Sequence, residues 1–395
     1  MVIAQRVTAE GRQFLIEGDA NGYWELGQKI AAGEEYSIYQ PPRRILRTPG
    51  FPLLLAACIR VFGPSIFAAS IVMAFVGCGC CWLTWILAKR VTDEDTALWA
   101  MAFVAVSPLQ IGSSVQILSE TWFTFWLLLC LIALTPLLTK PATVRTWWPA
   151  FLSGLLTGLT VLVRPGWILW AGASGILVLL FGQNSMRSRL ASATFIVAGC
   201  FLALLPWAIR NYNATGHLVF TSLWSGPSLY DGLHPKATGA SDMTFVDQEN
   251  LFSKMSEFDV NAYYKQRAFD FAIQNPGRAI ELAFLKAGRY LSPSLNAAGF
   301  SGGPFSLFCL GWYSIFTGLL MLGCIHMRNE SGILLMLSGP FLQFLLVHMV
   351  FVGSIRYRLP VEFPLSIIAA NGLVALVRRA KRKMLDGLPK DASGL

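Results

Sequence analysis

The hydrophobic pattern of the chain is a series of long apolar runs. Runs close to the roughly 20 residues needed to cross hydrocarbon lie at about 65 to 88, 95 to 113, 119 to 138, 147 to 163, 165 to 182, 190 to 208, 304 to 326, 331 to 352 and 359 to 377. They predict an all-α polytopic membrane protein with about nine transmembrane helices. A further run at 51 to 63, interrupted by Arg60, is too short to span and reads as an interfacial helix in the outer headgroup region. Between the sixth and seventh runs, NAYYKQRAFDFAIQ and PGRAIELAFLKAGRYL carry apolar residues at helical spacing, with Pro276 placed to open the second helix. Upstream of them, GPSLYDGLHPKATGASD is rich in Gly, Pro, Ser and Asp and is expected to be irregular.

Composition settles the solvent. With 54% hydrophobic and only 13% charged residues, 27 Phe and 13 Trp, the chain is far from a soluble domain, in which about 25% of residues are charged. The charges also give the orientation. Threading the runs puts Lys89 and Arg90, Lys140 and Arg145, Arg187 and Arg189, Arg328, and the group Arg378, Arg379, Lys381, Arg382 and Lys383 on one face, which is therefore cytoplasmic. The net charge of +9 is topogenic and is no nucleic-acid footprint.

Five regions follow: a first extracytoplasmic loop with juxtamembrane helices (1–63), transmembrane helices (64–208), a second extracytoplasmic region (209–303), further transmembrane helices (304–383) and a cytoplasmic tail (384–395). The same threading puts residues 1–50 outside with no signal peptide or anchor ahead of them, so an upstream membrane helix is expected to be missing, the alternative being a tail translocated unaided. The eight cysteines, at 58, 78, 80, 81, 130, 200, 309 and 324, all fall inside apolar runs, so no disulfide framework is implied. Cys78, Cys80 and Cys81 have no His or carboxylate neighbour in their run and read as small buried residues. Asn213-Ala214-Thr215 is a glycosylation acceptor pattern on the outer side. No internal repeat stands out.

Against this background four arginines are misplaced. Arg164, Arg210, Arg356 and Arg358 each lie at an outer end of an apolar run, whereas Lys and Arg normally collect on the cytoplasmic side. An anionic ligand at the outer surface explains them, since Arg binds phosphate bidentately and keeps its charge. Snorkelling, with the stem in lipid and the head at the interface, is the plainer alternative for Arg164 and Arg210. Arg358 is doubled with Arg356 and backed by Glu362 four residues on.

The stretches GDANGYWELGQKIAAG, RTPGFPLLLAACIRVFG, SETWFTF, GLLTGLTVLVRPG, LLPWAIRNYNATG and RYRLPVEFPLSIIAANG resemble the GT-C membrane glycosyltransferases. The likeness is to the branch with the dolichyl-phosphate-mannose protein mannosyltransferases and the lipid A aminoarabinose transferases. It covers nearly the whole chain, in order and on consistent sides. It implies a transferase that moves a sugar from a polyprenyl-phosphate donor to an extracytoplasmic glycan, lipid or protein acceptor. The expected location is the plasma membrane of a bacterium, with the active site on the extracytoplasmic side. The family's catalytic Asp, in the first outer loop just after the first membrane helix, maps onto Asp19; this sequence departs from the pattern in lacking that helix. Arg47, within the RTPG stretch, joins the expected substrate-binding set.

The chemistry agrees. An activated sugar needs a base for the acceptor hydroxyl and cations for the departing phosphate. Asp19 is the candidate base, with Glu17 its nearest competitor and Tyr23 on its helix face; an N-cap is the structural alternative. Glu120, at the outer end of an apolar run with no basic neighbour in sequence, is the second candidate catalytic acid; opening a helix is its plainer reading. Arg47, Arg164, Arg210, Arg356, Arg358, Glu362 and Tyr23 are the candidate substrate-binding residues, the Arg358–Glu362 pair also fitting a structural role. His348 reads as a packed histidine. Lys265, Arg267, Arg278, Lys286 and Arg289 fit either a solvated helix face or contact with lipid headgroups. No cofactor is expected, and no motif demands a metal, so a divalent-metal requirement stays open. The competing class is a transporter or flippase of an anionic lipid. It calls for ionisable or broken-helix sites near the midplane, where this chain is almost free of charge.

Overall fold

A computed structural model describes residues 19–139, 147–293 and 303–386. Glu17, Lys140, Arg145 and the tail from 387 lie outside the described residues, as do the parts of the two outer regions beyond these bounds. The described chain is all-helical. It opens with α1 (Asp19–Ala32), α2 (Gly50–Phe62), α3 (Ile66–Val91), α4 (Glu94–Val106), α5 (Pro108–Ser113), α6 (Ser119–Thr139) and α7 (Trp147–Val161). A 3-10 turn at Pro165–Ile168 leads into α8 (Leu169–Phe181) and α9 (Met186–Thr215). Between α9 and the last helices lie α10 (Ser225–Gly232), α11 (Thr244–Glu249), α12 (Glu257–Gln274) and α13 (Pro276–Leu291). The last helices are α14 (Gly303–His326), α15 (Ser331–Val350) and, after a 3-10 turn at Ile355–Tyr357, α16 (Leu359–Asp386).

Six of these, α3, α6, α9, α14, α15 and α16, are long and apolar enough to cross a membrane. Their outward faces carry large apolar side chains, among them Leu307, Ile315, Met321 and Leu346, each more than 60% exposed. Hydroxyls such as Thr124, Thr135 and Thr157 point inward and donate to carbonyls four residues back. Apolar outside with satisfied polar groups inside is the arrangement that lipid as solvent requires.

Three expected runs give shorter helices. The run at 95 to 113 is broken, because Pro108 disfavours helix at the residue before it; Ser107 is extended and α5 starts afresh. The run at 165 to 182 opens with the 3-10 turn, leaving α8 with 13 residues. α7 has 15 residues and packs on α9 through glycines: a Cβ on Gly158 would stand 2.5 Å from the Cys200 carbonyl oxygen, and one on Gly199 the same distance from that of Phe151. Small residues let backbones approach where lipid supplies no hydrophobic drive between helices.

Two expectations for residues 209–303 are corrected. GPSLYDG is not irregular but forms α10, whose Leu229, Tyr230 and Gly232 are buried against the rest of that region. Lys286 is not on a solvated face: its side chain is fully buried, and Nζ donates to the carbonyls of Gly232 (3.1 Å) and Val350 (2.7 Å). Each is drawn inward by a core made from sequence-distant residues, which local composition does not reveal.

Candidate active site

The RTPG stretch is the hinge of the site. Gly50 donates to the Leu162 carbonyl at 2.8 Å, and a Cβ there would stand 2.6 Å from that oxygen, so only glycine lets the start of α2 sit on the end of α7. Trp122 of α6 donates its indole N–H to the Gly50 carbonyl at 3.1 Å. Docking α2 on α6 and α7 in this way brings Arg47, Glu120 and Arg164, far apart in sequence, to one place.

Asp19, in the first turn of α1, enters the same place. Its Oδ1 accepts from Arg47 Nη2 at 2.9 Å, and its Oδ2 pairs with Arg356 Nη2 at 2.9 Å. Arg356 also donates Nε to Glu120 Oε1, which accepts from Arg164 Nη2 at 3.1 Å as well. Arg356 therefore bridges the two acids. The buried acid that had no basic neighbour in sequence has two in space, which is how a carboxylate at membrane depth is tolerated.

Aromatic rings frame the guanidiniums. Arg47 lies over Tyr23, 4.4 Å from its centroid, and Arg164 lies 5.3 Å from that of Tyr357. His348 stacks flat on Tyr357, the ring centroids 4.1 Å apart. Gly22 leaves the room for Arg47, whose Nε would stand 3.2 Å from a Cβ there.

The two acids differ in access. Asp19's side chain is 38% exposed and Glu120's 3%, so only Asp19 can be reached by an incoming group. Burial pushes the Asp19 carboxyl up, but Arg356 and Arg47 beside it outweigh that and hold it well below the usual carboxylate range. Among the described residues three guanidiniums face two carboxylates, one positive charge in excess. Arg164 Nη1, Arg47 Nε and Glu120 Oε2 are buried without a hydrogen-bond partner among the described residues. A cationic pocket with spare donors suits an anion that brings several acceptor oxygens.

The remaining expected residues lie elsewhere. Arg358 and Glu362 pair with each other at 2.7 Å, both side chains 7% exposed. Arg358 Nη1 also donates to the carbonyls of Tyr290 (3.0 Å) and Ser292 (2.8 Å) at the end of α13, and Glu362 Oε2 accepts from Tyr313 and Gln110. Arg210 donates to the carbonyls of Arg44 (2.7 Å) and Tyr36 (2.9 Å), holding the first loop against α9. Glu257 of α12, which drew no attention in the sequence, holds the same loop by accepting from the backbone N–H groups of Arg44 and Ile45. Nothing local marks Glu257. Tyr357 is marked in the sequence by Arg356 and Arg358 on either side of it.

Residues 46–209 match the family described as dolichyl-phosphate-mannose-protein mannosyltransferase. Among solved structures, the chain is similar to the oligosaccharyltransferase AglB of Archaeoglobus fulgidus in complex with an inhibitory peptide and a dolichol-phosphate. The TM-score is 0.52 at 13% identity over 95% of this chain and 48% of that one, so the chain spans about half the length of this relative. It is also similar to ArnT of Cupriavidus metallidurans bound to undecaprenyl phosphate, with a TM-score of 0.40 at 12% identity over 95% of this chain and 77% of that one. No protein of curated function matches. The fold is that of the GT-C membrane glycosyltransferases.

Proposed function

We propose that this multi-pass GT-C membrane protein transfers a sugar from a polyprenyl-phosphate donor to an acceptor hydroxyl on the extracytoplasmic side. The observation that carries the reading is the convergence of one accessible carboxylate and three guanidiniums, with one cation in excess, at one end of the helix bundle. The donor is a phosphodiester of single negative charge, which matches that excess. Arg47, Arg164 and Arg356 bind its phosphate oxygens. Tyr23, beneath Arg47, lines the same pocket. Asp19 takes the acceptor proton as the acceptor oxygen bonds to the anomeric carbon, and the bond from that carbon to the phosphate oxygen breaks with its electron pair leaving on the lipid phosphate. The arginines stabilise the charge that grows there.

In the free protein Asp19 is a weak base, because Arg356 and Arg47 stabilise its ionised form. A phosphate competing for the same guanidiniums loosens that hold and makes Asp19 more basic only when donor is present. Glu120, sealed beneath, orients Arg356 and Arg164 and does not meet the acceptor. Arg358, Glu362 and Arg210 we assign to holding the site's framework.

The test is direct. Purified protein is incubated with polyprenyl-phosphate sugars, and the carrier-linked sugar is followed. Consumption of the donor with release of lipid phosphate is expected. Donor that crosses the bilayer chemically intact sinks the reading in favour of a flippase. The sidedness is checked with a reporter after Lys383, expected to be cytoplasmic, and one near Ser241, expected outside; both on one side overturns the topology.

A further inference from the structure

Along α13 the exposed face is apolar apart from Glu281, and no described residue covers it. Ile280 is 60% exposed, Phe284 67%, Leu285 45% and Leu291 49%. The opposite face is buried, with Leu282, Lys286 and Tyr290 inside the molecule. At 16 residues, and carrying Arg278, Glu281, Lys286 and Arg289, the helix is neither long nor apolar enough to span.

Its depth can be read from α15, one of the spanning helices. The Lys286 backbone lies against Gly353, just beyond the end of α15, so closely that a Cβ on Gly353 would collide with the Lys286 carbonyl. Lys286 Nζ caps Val350, the last residue of α15. Tyr290 then reaches inward: its ring packs 5.5 Å from that of Phe341, and its hydroxyl donates to the Phe341 carbonyl at 3.4 Å. At 1.5 Å per residue, Phe341 lies roughly 13 Å inside the end of α15. The last turn of α13 thus runs below the level where the spanning helix ends. Leu291, next after Tyr290, is exposed, and α15 exposes Leu342, Leu346 and Val350 at 44%, 65% and 46% along the same stretch. An exposed apolar residue at the depth of a spanning helix's exposed flank shares its solvent.

We propose that α13 is a half-inserted interfacial helix whose Ile280–Phe284–Leu285–Leu291 face is covered by lipid acyl chains of the leaflet on the site's side. Amphipathic helices seat about 5 to 10 Å into the headgroup and acyl boundary, which is compatible with only the last turn of α13 running below the end of α15. The placement bears on the site. The Tyr290 and Ser292 carbonyls at the end of α13 accept from Arg358, two residues from Arg356, so the turn that presents Arg356 to Asp19 and Glu120 is held from within the membrane surface. The proposal rests on the multi-pass membrane reading and not on the transfer chemistry, so a failed transfer assay leaves it standing.

Wild-type protein in phosphatidylcholine vesicles containing a fraction of phosphatidylcholine with a diazirine in its acyl chain is photolysed, digested with trypsin and mapped by mass. Lipid adducts are expected on the segment between Arg278 and Lys286 as well as on the outward face of α15. A water-soluble diazirine should mark exposed parts of α12 and spare that segment. Lipid adducts on α15 with none on residues 279–286 overturn the proposal, whether water or another protein covers the face.

Discussion

Arg356 and Arg358 stand two residues apart on one 3-10 turn and enter opposite environments. Arg356 turns into a cluster with excess positive charge, shared between an accessible acid and a sealed one. Arg358 turns into a neutral pair with Glu362, closed by Tyr313, Gln110 and two backbone carbonyls. Charge and proximity in sequence are the same for both; what differs is whether the partner carboxylate cancels the guanidinium. An uncancelled cation beside a reachable carboxylate can do chemistry on an anion, whereas a cancelled buried pair can only hold structure. Removing one partner of such a pair is costly, and replacing both is often not.

The largest expected effect is at Asp19. Asp19→Asn keeps the size and a hydrogen-bonding group but removes the base, and transfer should fall by about 100- to 10,000-fold while donor binding survives. Transfer rate measured beside donor affinity decides it. An N-cap tolerates Asn as well as Asp, so an Asn variant with wild-type transfer means that Asp19 only opens α1. At Arg358 the expected effect is on stability. Arg358→Ala leaves Glu362 buried and uncompensated, at a cost of about 3 to 5 kcal/mol. The double change Arg358→Met with Glu362→Leu should recover much of that loss in thermal unfolding, and the folded fraction should still transfer sugar. If instead Arg358→Ala folds as the wild type does but loses donor affinity, Arg358 belongs to the phosphate site after all.

Much of this division was legible in the sequence, and the part that was not has a physical cause. Six of the nine apolar runs gave helices long enough to span, because crossing hydrocarbon imposes a length and composition, while Pro108 and the turn at Pro165 shortened others locally. Glu120 and the arginines at the ends of apolar runs stood out because charge at those depths is expensive, and Asp19 through its place in the family resemblance. Their partners did not. Glu120 meets Arg164 and Arg356 only because glycine at position 50 lets one helix rest on another, and a sequence read in one dimension does not show which helix ends converge. For the same reason Arg358, the more suggestive arginine by its Glu362 pairing, turned out to be paired away from the cluster, and Lys286 was placed on a surface when α10 and α15 enclose it.

A smaller effect separates Arg356 from a mere counter-ion. Arg356→Ala removes charge-assisted hydrogen bonds worth about 1.5 to 3 kcal/mol each, so kcat/KM for the donor should fall by roughly 10- to 150-fold. Arg356→Lys should fall between, because lysine keeps the charge but loses the fork that reaches both acids. The loss should appear in kcat as well as KM, since charge on the phosphate grows as the bond breaks. A lysine variant indistinguishable from wild type reduces Arg356 to a point charge.

The subtlest test is pH. Because Arg356 and Arg47 hold the Asp19 carboxyl well below the usual carboxylate range in the free protein, Asp19 stays ionised throughout ordinary acid conditions. Its contribution to stability is fully present above the unfolded value of about 3.9 and is lost only as pH falls through the lower folded value. The same sign governs catalysis. The profile of kcat/KM, which reports the free enzyme, should show no acid limb from Asp19 between pH 8 and about pH 4, the usual carboxylate range. In the donor complex the phosphate draws the guanidiniums away and the carboxylate becomes more basic, so the acid limb of kcat should lie at higher pH than that of kcat/KM. Coincident limbs would mean that the donor does not displace the arginines from Asp19, and the idea of a base activated by its own substrate would fall even if Asp19 proved essential.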